Sequence, residues 1–331
     1  MGTLKNFLRY HFGKPNNERT YLEMRHDYVH SKRRSVDMAC KVNGFLNPKF
    51  KIKSSHGIAG DLCNAEADRI CDQIKSNGYY IFPNLLNKAI VDELKTFAST
   101  APVHYLIAEG DNISYSKESV KYIEANEISN RYQILDISHF RHSKAALDIA
   151  MDANLLHVAN NYLGAKPILD LIIFWWSRSF QNVNIEETTK ELLKNRSAQL
   201  FHFDMDRLKF LKFFIYLTDV NTRTGPHVYV RNTHQKIPAY IKKDGRYADD
   251  FINKEDGANV VEINGKAGSV IAVDTRGLHK GKELEDGERL IFQLEFANSL
   301  FGNPQLPGIS EKFKYTGPSE YFESYRQFCA K

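Results

Sequence analysis

The chain is poor in the features that staple or anchor a protein. Its four cysteines in 331 residues, Cys40, Cys63, Cys71 and Cys329, form no C-x-x-C pair, which argues against a zinc finger and a secreted disulfide framework and favours a reducing compartment. Long hydrophobic runs are missing too. The longest strongly apolar stretch, Leu171 to Trp176, is far too short to span a bilayer. The opening "MGTLKN" has neither the basic, apolar and small-residue succession of a signal peptide nor the Ser or Thr of a myristoylation signal. No internal repeat or low-complexity stretch stands out. A cytoplasmic protein with no transmembrane segment is therefore expected.

Net charge is small, at +5, but it is unevenly placed. Residues 1 to 60 carry 12 Lys+Arg against 4 Asp+Glu. The remainder is slightly acidic. The cluster Lys32-Arg33-Arg34 and interleaved aromatics suit an anionic partner, but a basic run is most simply a solvated, partly irregular lead-in. We expect such a segment over 1–60, followed by one domain over 61–331.

What is present is a change of character along that domain. "NAEADRICDQIKS" from Asn64, closed by Gly78, "NKAIVDELKTFAST" from Asn87 and the stretch from Ser143 to Gly164 carry apolar residues at helical spacing. Apart from a short strand at Tyr79 to Pro83, helices are expected to dominate 61–165. After Pro167 the segments "ILDLIIFWWSRSF", "AQLFHFD", "FLKFFIYLTDV", "HVYV", "NVVEI", "GSVIAVD" and "RLIFQLEFA" are short, aromatic and β-branched, with turn residues between them. The pattern predicts an α+β fold: a jelly-roll core over about 166–300 with a helical buttress, and a last helix over about 319–329.

Within "QLFHFDMD", His202 and Asp204 stand two residues apart, so in an extended segment both point the same way while Phe201 and Phe203 point the other. Alone, an H-x-D triplet is weak. The loop after "GSVIAVD" supplies His279, and ten positions later comes Arg289. Two His and one Asp can occupy one face of a six-coordinate iron and leave three positions open for a bidentate 2-oxo acid and O2. The far carboxylate of such an acid needs a buried cation, and a guanidinium can hold it through two parallel hydrogen bonds.

The segments "HFD", "LTDVNTRTGPHVYVRNTH", "GSVIAVDTRGLHKG" and "GERLIFQLEF" resemble the successive core motifs of the phytanoyl-CoA dioxygenase-like family of Fe(II)/2-oxoglutarate oxygenases. The resemblance runs over about residues 199–297 and more weakly from about residue 65. It implies a double-stranded β-helix, with His202, Asp204 and His279 as ligands of Fe(II) and Arg289 as the partner of 2-oxoglutarate's distal carboxylate. It also implies hydroxylation of a C–H bond with release of succinate and CO2. Asp206 competes for the carboxylate role, but the two-residue spacing of Asp204 is the family pattern. Two departures stand out. Val230-Arg231-Asn232-Thr233-His234 replaces a Pro-Gly-Ser-His turn, so that turn is expected to differ in shape, with His234 and His227 as hydrogen-bonded structural histidines. Glu295 stands where nucleic-acid demethylases of the wider superfamily often carry a second arginine, so a small molecule rather than a nucleic acid is the expected substrate.

Arg289, Ile291, Gln293 and Glu295 share one face of the last strand, with Leu290, Phe292, Leu294 and Phe296 on the other. The first face is expected to look into the barrel, with Gln293 or Glu295 touching substrate or serving as paired polar positions. Trp175 and Trp176 are expected in the core. The rival functional readings are a jelly-roll binding protein without turnover and a cupin-type metalloenzyme that recruits His227 or His234 as a further ligand.

Overall fold

The computed structural model describes residues 2–83, 85–110, 112–126, 129–180 and 185–304; the helix expected near 319–329 lies outside them. The basic N-terminal segment is not irregular. It folds into α1 (Gly2–His11), α2 (Glu18–His30) and α3 (Arg34–Leu46). Asn17 starts α2 with a capping box: its side chain accepts from Thr20 N–H while the Thr20 hydroxyl accepts from the Asn17 backbone. A hairpin of β1 (Ser54–Gly57) and β2 (Gly60–Cys63) leads into α4 (Asn64–Asn77), which Gly78 ends in the left-handed conformation (φ 92).

Next come β3 (Tyr79–Phe82) and α5 (Lys88–Thr100), as expected, then strands where helices were expected: β4 (Pro102–Glu109), β5 (Asn112–Tyr115), β6 (Val120–Lys121) and β7 (Arg131–Gln133). They extend the main sheet beyond its jelly-roll part. The helix expected over Ser143 to Gly164 is two, α6 (Lys144–Ala150) and α7 (Ala153–Leu163). Asp152 divides them. One carboxylate oxygen caps α7 at Asn154 and Leu155 N–H, and the other accepts from Ile58 N–H at 2.7 Å.

The remaining elements are β8 (Ile168–Arg178), α8 (Glu187–Arg196), β9 (Phe210–Tyr216), β10 (His227–Val230), α9 (Asp249–Asp256), β11 (Val260–Ile263), β12 (Val270–Val273), β13 (His279–Gly281) and β14 (Glu288–Ala297). The main antiparallel sheet runs β3-β12-β9-β14-β8-β7-β4-β5, with β6 on β4. The smaller sheet is β11-β10-β13, and the predicted strand around His202 reduces to isolated bridges, Phe201 to Tyr247 and His202 to His279. Together the two sheets form the double-stranded β-helix.

Four layers follow from where the apolar residues fall. Leu290, Phe292, Leu294 and Phe296 join Ile172, Phe174 and Trp176 against α4 to α7, as the period-two alternation predicts. Trp175, Phe214, Tyr229, Ile263 and Ile291 fill the space between the sheets. On the far side, Phe7, Met24, Tyr28, Val36 and Ala39 of α1 to α3 cover Phe201, Phe203, Met205, Val228 and Leu278. The N-terminal charges take part in this docking: Arg25 holds Asp244 with two hydrogen bonds (2.5 and 2.7 Å), and Lys32 Nζ donates to the Ile241 carbonyl. Arg33 is buried beside Asp37 and Tyr28.

Tyr28 ties the helical layer to the site. Its fully buried hydroxyl donates to the Arg276 carbonyl at 2.6 Å. Tyr28→Phe would leave that carbonyl short of a partner, a loss of about 1–3 kcal/mol, and should lower the thermal unfolding midpoint by a few degrees. An unchanged midpoint would show that the contact adds nothing to stability.

Candidate active site

Two chain segments remote in sequence meet at one backbone bridge. His202 N–H donates to the His279 carbonyl at 2.9 Å and His279 N–H to the His202 carbonyl at 2.8 Å, while Asp204 N–H donates to the Thr275 carbonyl at 2.8 Å. The pairing sets the two imidazoles side by side, ring centroids 4.3 Å apart. Asp204 stands opposite them, with its carboxylate oxygens 3.4 Å from His202 Nε2 and 3.4 Å from His279 Nε2. One ligand atom from each of the three lies within 4.8 Å of the others, a separation at which they can share a metal ion.

The histidines are held with the right nitrogen forward. His202 Nδ1 lies 2.9 Å from the Leu200 carbonyl and His279 Nδ1 2.9 Å from the Gly277 carbonyl. A carbonyl only accepts, so each Nδ1 carries a proton and Nε2 is the nitrogen turned toward Asp204. Burial, then the neighbouring His279, pushes His202 down to about 4, so it is neutral near pH 7. Burial would raise the Asp204 carboxyl, but Lys212 and the two histidines hold it well below the usual carboxylate range.

The loop that delivers His279 is braced by a buried ion pair. Arg276 bonds Asp274 at 2.6 and 3.0 Å, and the Tyr162 hydroxyl donates to the same carboxylate at 2.6 Å. Gly277 must be glycine because a Cβ there would collide with the Tyr229 hydroxyl. The turn that departs from Pro-Gly-Ser-His keeps a tight shape: Asn232 takes the left-handed conformation (φ 67), and the Thr233 hydroxyl donates to the Val230 carbonyl and accepts from Leu278 N–H. His234 is hydrogen-bonded as expected, with Nε2 at 2.8 Å from the Lys75 carbonyl, although its buried Nδ1 has no partner.

A cavity of about 210 Å³ opens over the three groups, walled by Ile173, Trp175, Phe214, Ile291 and Gln293. At its other end stands Arg289, 5% exposed. Its Nη2 reaches the Ser177 hydroxyl at 3.4 Å, while Nε and Nη1 have no partner. Burial pushes the guanidinium down to about 10, which still leaves it charged at neutral pH. A buried cation with two free donors suits an anion that comes from outside.

Asp206 does not join the three converging groups. Its carboxylate accepts from Lys212 Nζ at 3.1 Å, and the same ammonium donates to Asp204 at 2.8 Å and lies 3.3 Å from Glu295. Burial alone would lower Lys212, but these carboxylates hold it well above its ordinary value. Gln293 is on the cavity wall, whereas Glu295 is fully buried behind Lys212, and burial raises its carboxyl well above the usual range. Behind them a bulge in β8 turns Asp170 onto Arg207 at 2.6 and 2.9 Å.

The wall also holds three residues that the sequence did not assign to it. Trp175 lines the cavity, while Trp176 is in the core with its indole N–H on the Ala98 carbonyl. Arg131 also lines it, its guanidinium 4.6 Å from the Trp175 ring centre. It pairs with Ser177, which pairs with Arg289, so the three form one row across β7, β8 and β14. His227 is the third, and it is not a satisfied structural histidine: it is buried on the wall with Nε2 unpartnered.

The family model for phytanoyl-CoA dioxygenase matches residues 74–285. No curated protein sequence matches. Among solved structures, HygX from Streptomyces hygroscopicus with nickel and 2-oxoglutarate bound is similar at a TM-score of 0.48 and 11% identity, over 72% of this chain and 93% of that one. EctD from S. alaskensis in its apoform is similar at 0.48 and 16%, over 72% and 82%. The non-haem α-ketoglutarate-dependent epimerase SnoN of nogalamycin biosynthesis is similar at 0.46 and 15%, over 70% and 82%.

Proposed function

The chain belongs to the phytanoyl-CoA dioxygenase family, and from that premise we propose that it is an Fe(II)/2-oxoglutarate-dependent dioxygenase that hydroxylates a C–H bond of a small molecule. The observation that supports this most is the pairing of two ends of one cavity: two imidazole Nε2 atoms and a carboxylate converge at one, and a guanidinium with unpaired nitrogens stands at the other. Two imidazole nitrogens and one carboxylate on one side of an open space are a donor set that fits iron(II). His202, Asp204 and His279 would hold it. Bound there, iron supplies the redox chemistry by which one atom of O2 ends in succinate, with CO2 lost from 2-oxoglutarate, and the other in the substrate's new hydroxyl.

The protein's own share is binding, orientation and exclusion of water. Lys212 fixes the Asp204 carboxylate from behind, Arg289 takes the distal carboxylate of 2-oxoglutarate, and the apolar walls keep the reacting bond dry. Gln293, on the cavity wall, would touch the substrate, whereas Glu295 lies against Lys212. The histidines that a cupin-type rival would recruit do not join the three: among the described residues the metal-competent group is His202, Asp204 and His279, without His227 or His234. No helix among the described residues is long and apolar enough to cross a membrane.

The test is Fe(II)-dependent succinate release from 2-oxoglutarate, screened for stimulation by acyl thioesters, free acids, amino acids and sugar derivatives. A product one oxygen heavier than its substrate supports hydroxylation, and one two hydrogens lighter points to another oxidative outcome. A protein that binds metal but neither binds nor consumes 2-oxoglutarate would be the non-catalytic rival. Asp206→Asn should keep most of the parent's iron affinity, because Asp206 bonds only the ammonium behind the site, whereas Asp204→Asn should lose most of it. A loaded Asp204→Asn protein beside an empty Asp206→Asn one would reverse the two roles.

A further inference from the structure

Neither the metal-binding group nor Arg289 accounts for His227. It begins β10, where its Cα pairs with Gly281 on one side and Ile263 on the other, and its backbone N–H donates to the Tyr216 hydroxyl at 3.1 Å. The ring stacks on His279 (centroids 5.3 Å apart, planes at 21°) and lies 5.1 Å from Phe214. It is therefore clamped. Yet the side chain is buried on the cavity wall and Nε2 has no partner. Leaving a buried polar nitrogen unpaired is unfavourable, and an apolar residue would fill the same volume without that cost. A partner that arrives with a ligand resolves the conflict.

The register shows where the ligand would lie. Gly281, the cross-strand neighbour of His227, follows His279 by two positions on the same strand face, and a Cβ on it would stand 3.6 Å from Arg289 Nη2. With no side chain at 281, the imidazole of His227 and the guanidinium of Arg289 face the same space. His202, Asp204, His279, His227 and Arg289 all line that one cavity.

We propose that His227 is a cosubstrate-binding residue whose Nε2–H donates a hydrogen bond to a carboxylate of the 2-oxo acid lying between the metal site and Arg289. The proposal rests on the dioxygenase reading above, which makes that acid 2-oxoglutarate. It requires only the proton on Nε2 and no change of charge.

The experiment titrates 2-oxoglutarate anaerobically into the Fe(II)-loaded parent, His227→Leu and His227→Gln proteins, following the metal-to-ligand absorption band. Fe(II) affinity without 2-oxoglutarate and the unfolding midpoint of each metal-free protein are measured alongside. A hydrogen bond to a charged group is lost in His227→Leu, so its 2-oxoglutarate affinity should fall about tenfold to a hundredfold. His227→Gln, which keeps an N–H donor, should recover part of the loss. Fe(II) affinity should be the same in all three, and the His227→Leu midpoint should equal or exceed the parent's because an unpaired polar atom has been removed. Parent-like 2-oxoglutarate affinity in His227→Leu would overturn the inference alone, as would a loss matched by lower Fe(II) affinity or a lower midpoint. A parent that binds Fe(II) but no 2-oxoglutarate would overturn the dioxygenase reading and this inference with it.

Discussion

Asp204→Ala and His279→Ala proteins are each expected to lose stable Fe(II) binding, and with it all 2-oxoglutarate turnover, while folding as the parent does. Each substitution removes one of three ligands and opens the site to water on the protein's side. The fold should survive because the bridge that joins the two segments is made by backbone groups, His202 with His279 and Asp204 with Thr275, which alanine keeps. In Asp204→Ala the ammonium of Lys212 loses its 2.8 Å partner but retains Asp206 at 3.1 Å, so no buried cation is left alone. Equilibrium dialysis against Fe(II), with circular dichroism as the check on folding, measures both parts. Parent-like iron content and activity in either variant would remove that residue from the ligand set.

How much of this was legible depended on whether the relevant partner lay nearby in sequence. The last strand could be read because period two is local: Leu290, Phe292, Leu294 and Phe296 do pack on the helices, and Arg289, Ile291 and Gln293 do face the cavity. His202, Asp204 and His279 could be picked out as a set because their types and order are distinctive, and the structure brings them together. The strand character of "AQLFHFD" was misread because its pairing is supplied by Tyr247 and His279, residues that no local pattern connects to it. The N-terminal helices were passed over because their basic excess reads most simply as a solvated segment, although a few buried residues such as Phe7, Met24, Tyr28 and Val36 fasten them. Arg131 had no signal at all. It sits on a strand of three residues, and only the register through Ser177 shows that it shares a row with Arg289. His227 sat in the apolar run "HVYV", where a histidine is most simply a satisfied one; its missing partner is visible only in three dimensions.

Arg289→Ala is expected to separate the two ends of the cavity energetically. Iron should bind as in the parent, because Arg289 is not a ligand, but 2-oxoglutarate affinity should fall by roughly two to three orders of magnitude or more. Removing one member of a buried, hydrogen-bonded charge pair typically costs about 3–5 kcal/mol, and each 1.4 kcal/mol is about tenfold in affinity. The size of the effect follows from the burial of the guanidinium, which is 5% exposed: water cannot replace it as a partner for the carboxylate. Arg289→Lys should restore part of the affinity through charge and little of the two-point geometry, since an ammonium cannot present the two parallel donors of a guanidinium edge. In the absence of ligand Arg289 Nε and Nη1 have no partner, so Arg289→Ala should leave the metal-free protein at least as stable as the parent. A residue that stabilises nothing until its anion arrives is the mark of a binding group rather than a structural one. Titrating 2-oxoglutarate into anaerobic Fe(II)-loaded parent, Arg289→Ala and Arg289→Lys proteins, with thermal unfolding of the metal-free forms, measures both halves. Equal 2-oxoglutarate affinities would remove Arg289 from the cosubstrate site even if the three iron ligands stood, and a sharply lower unfolding midpoint would make its role structural.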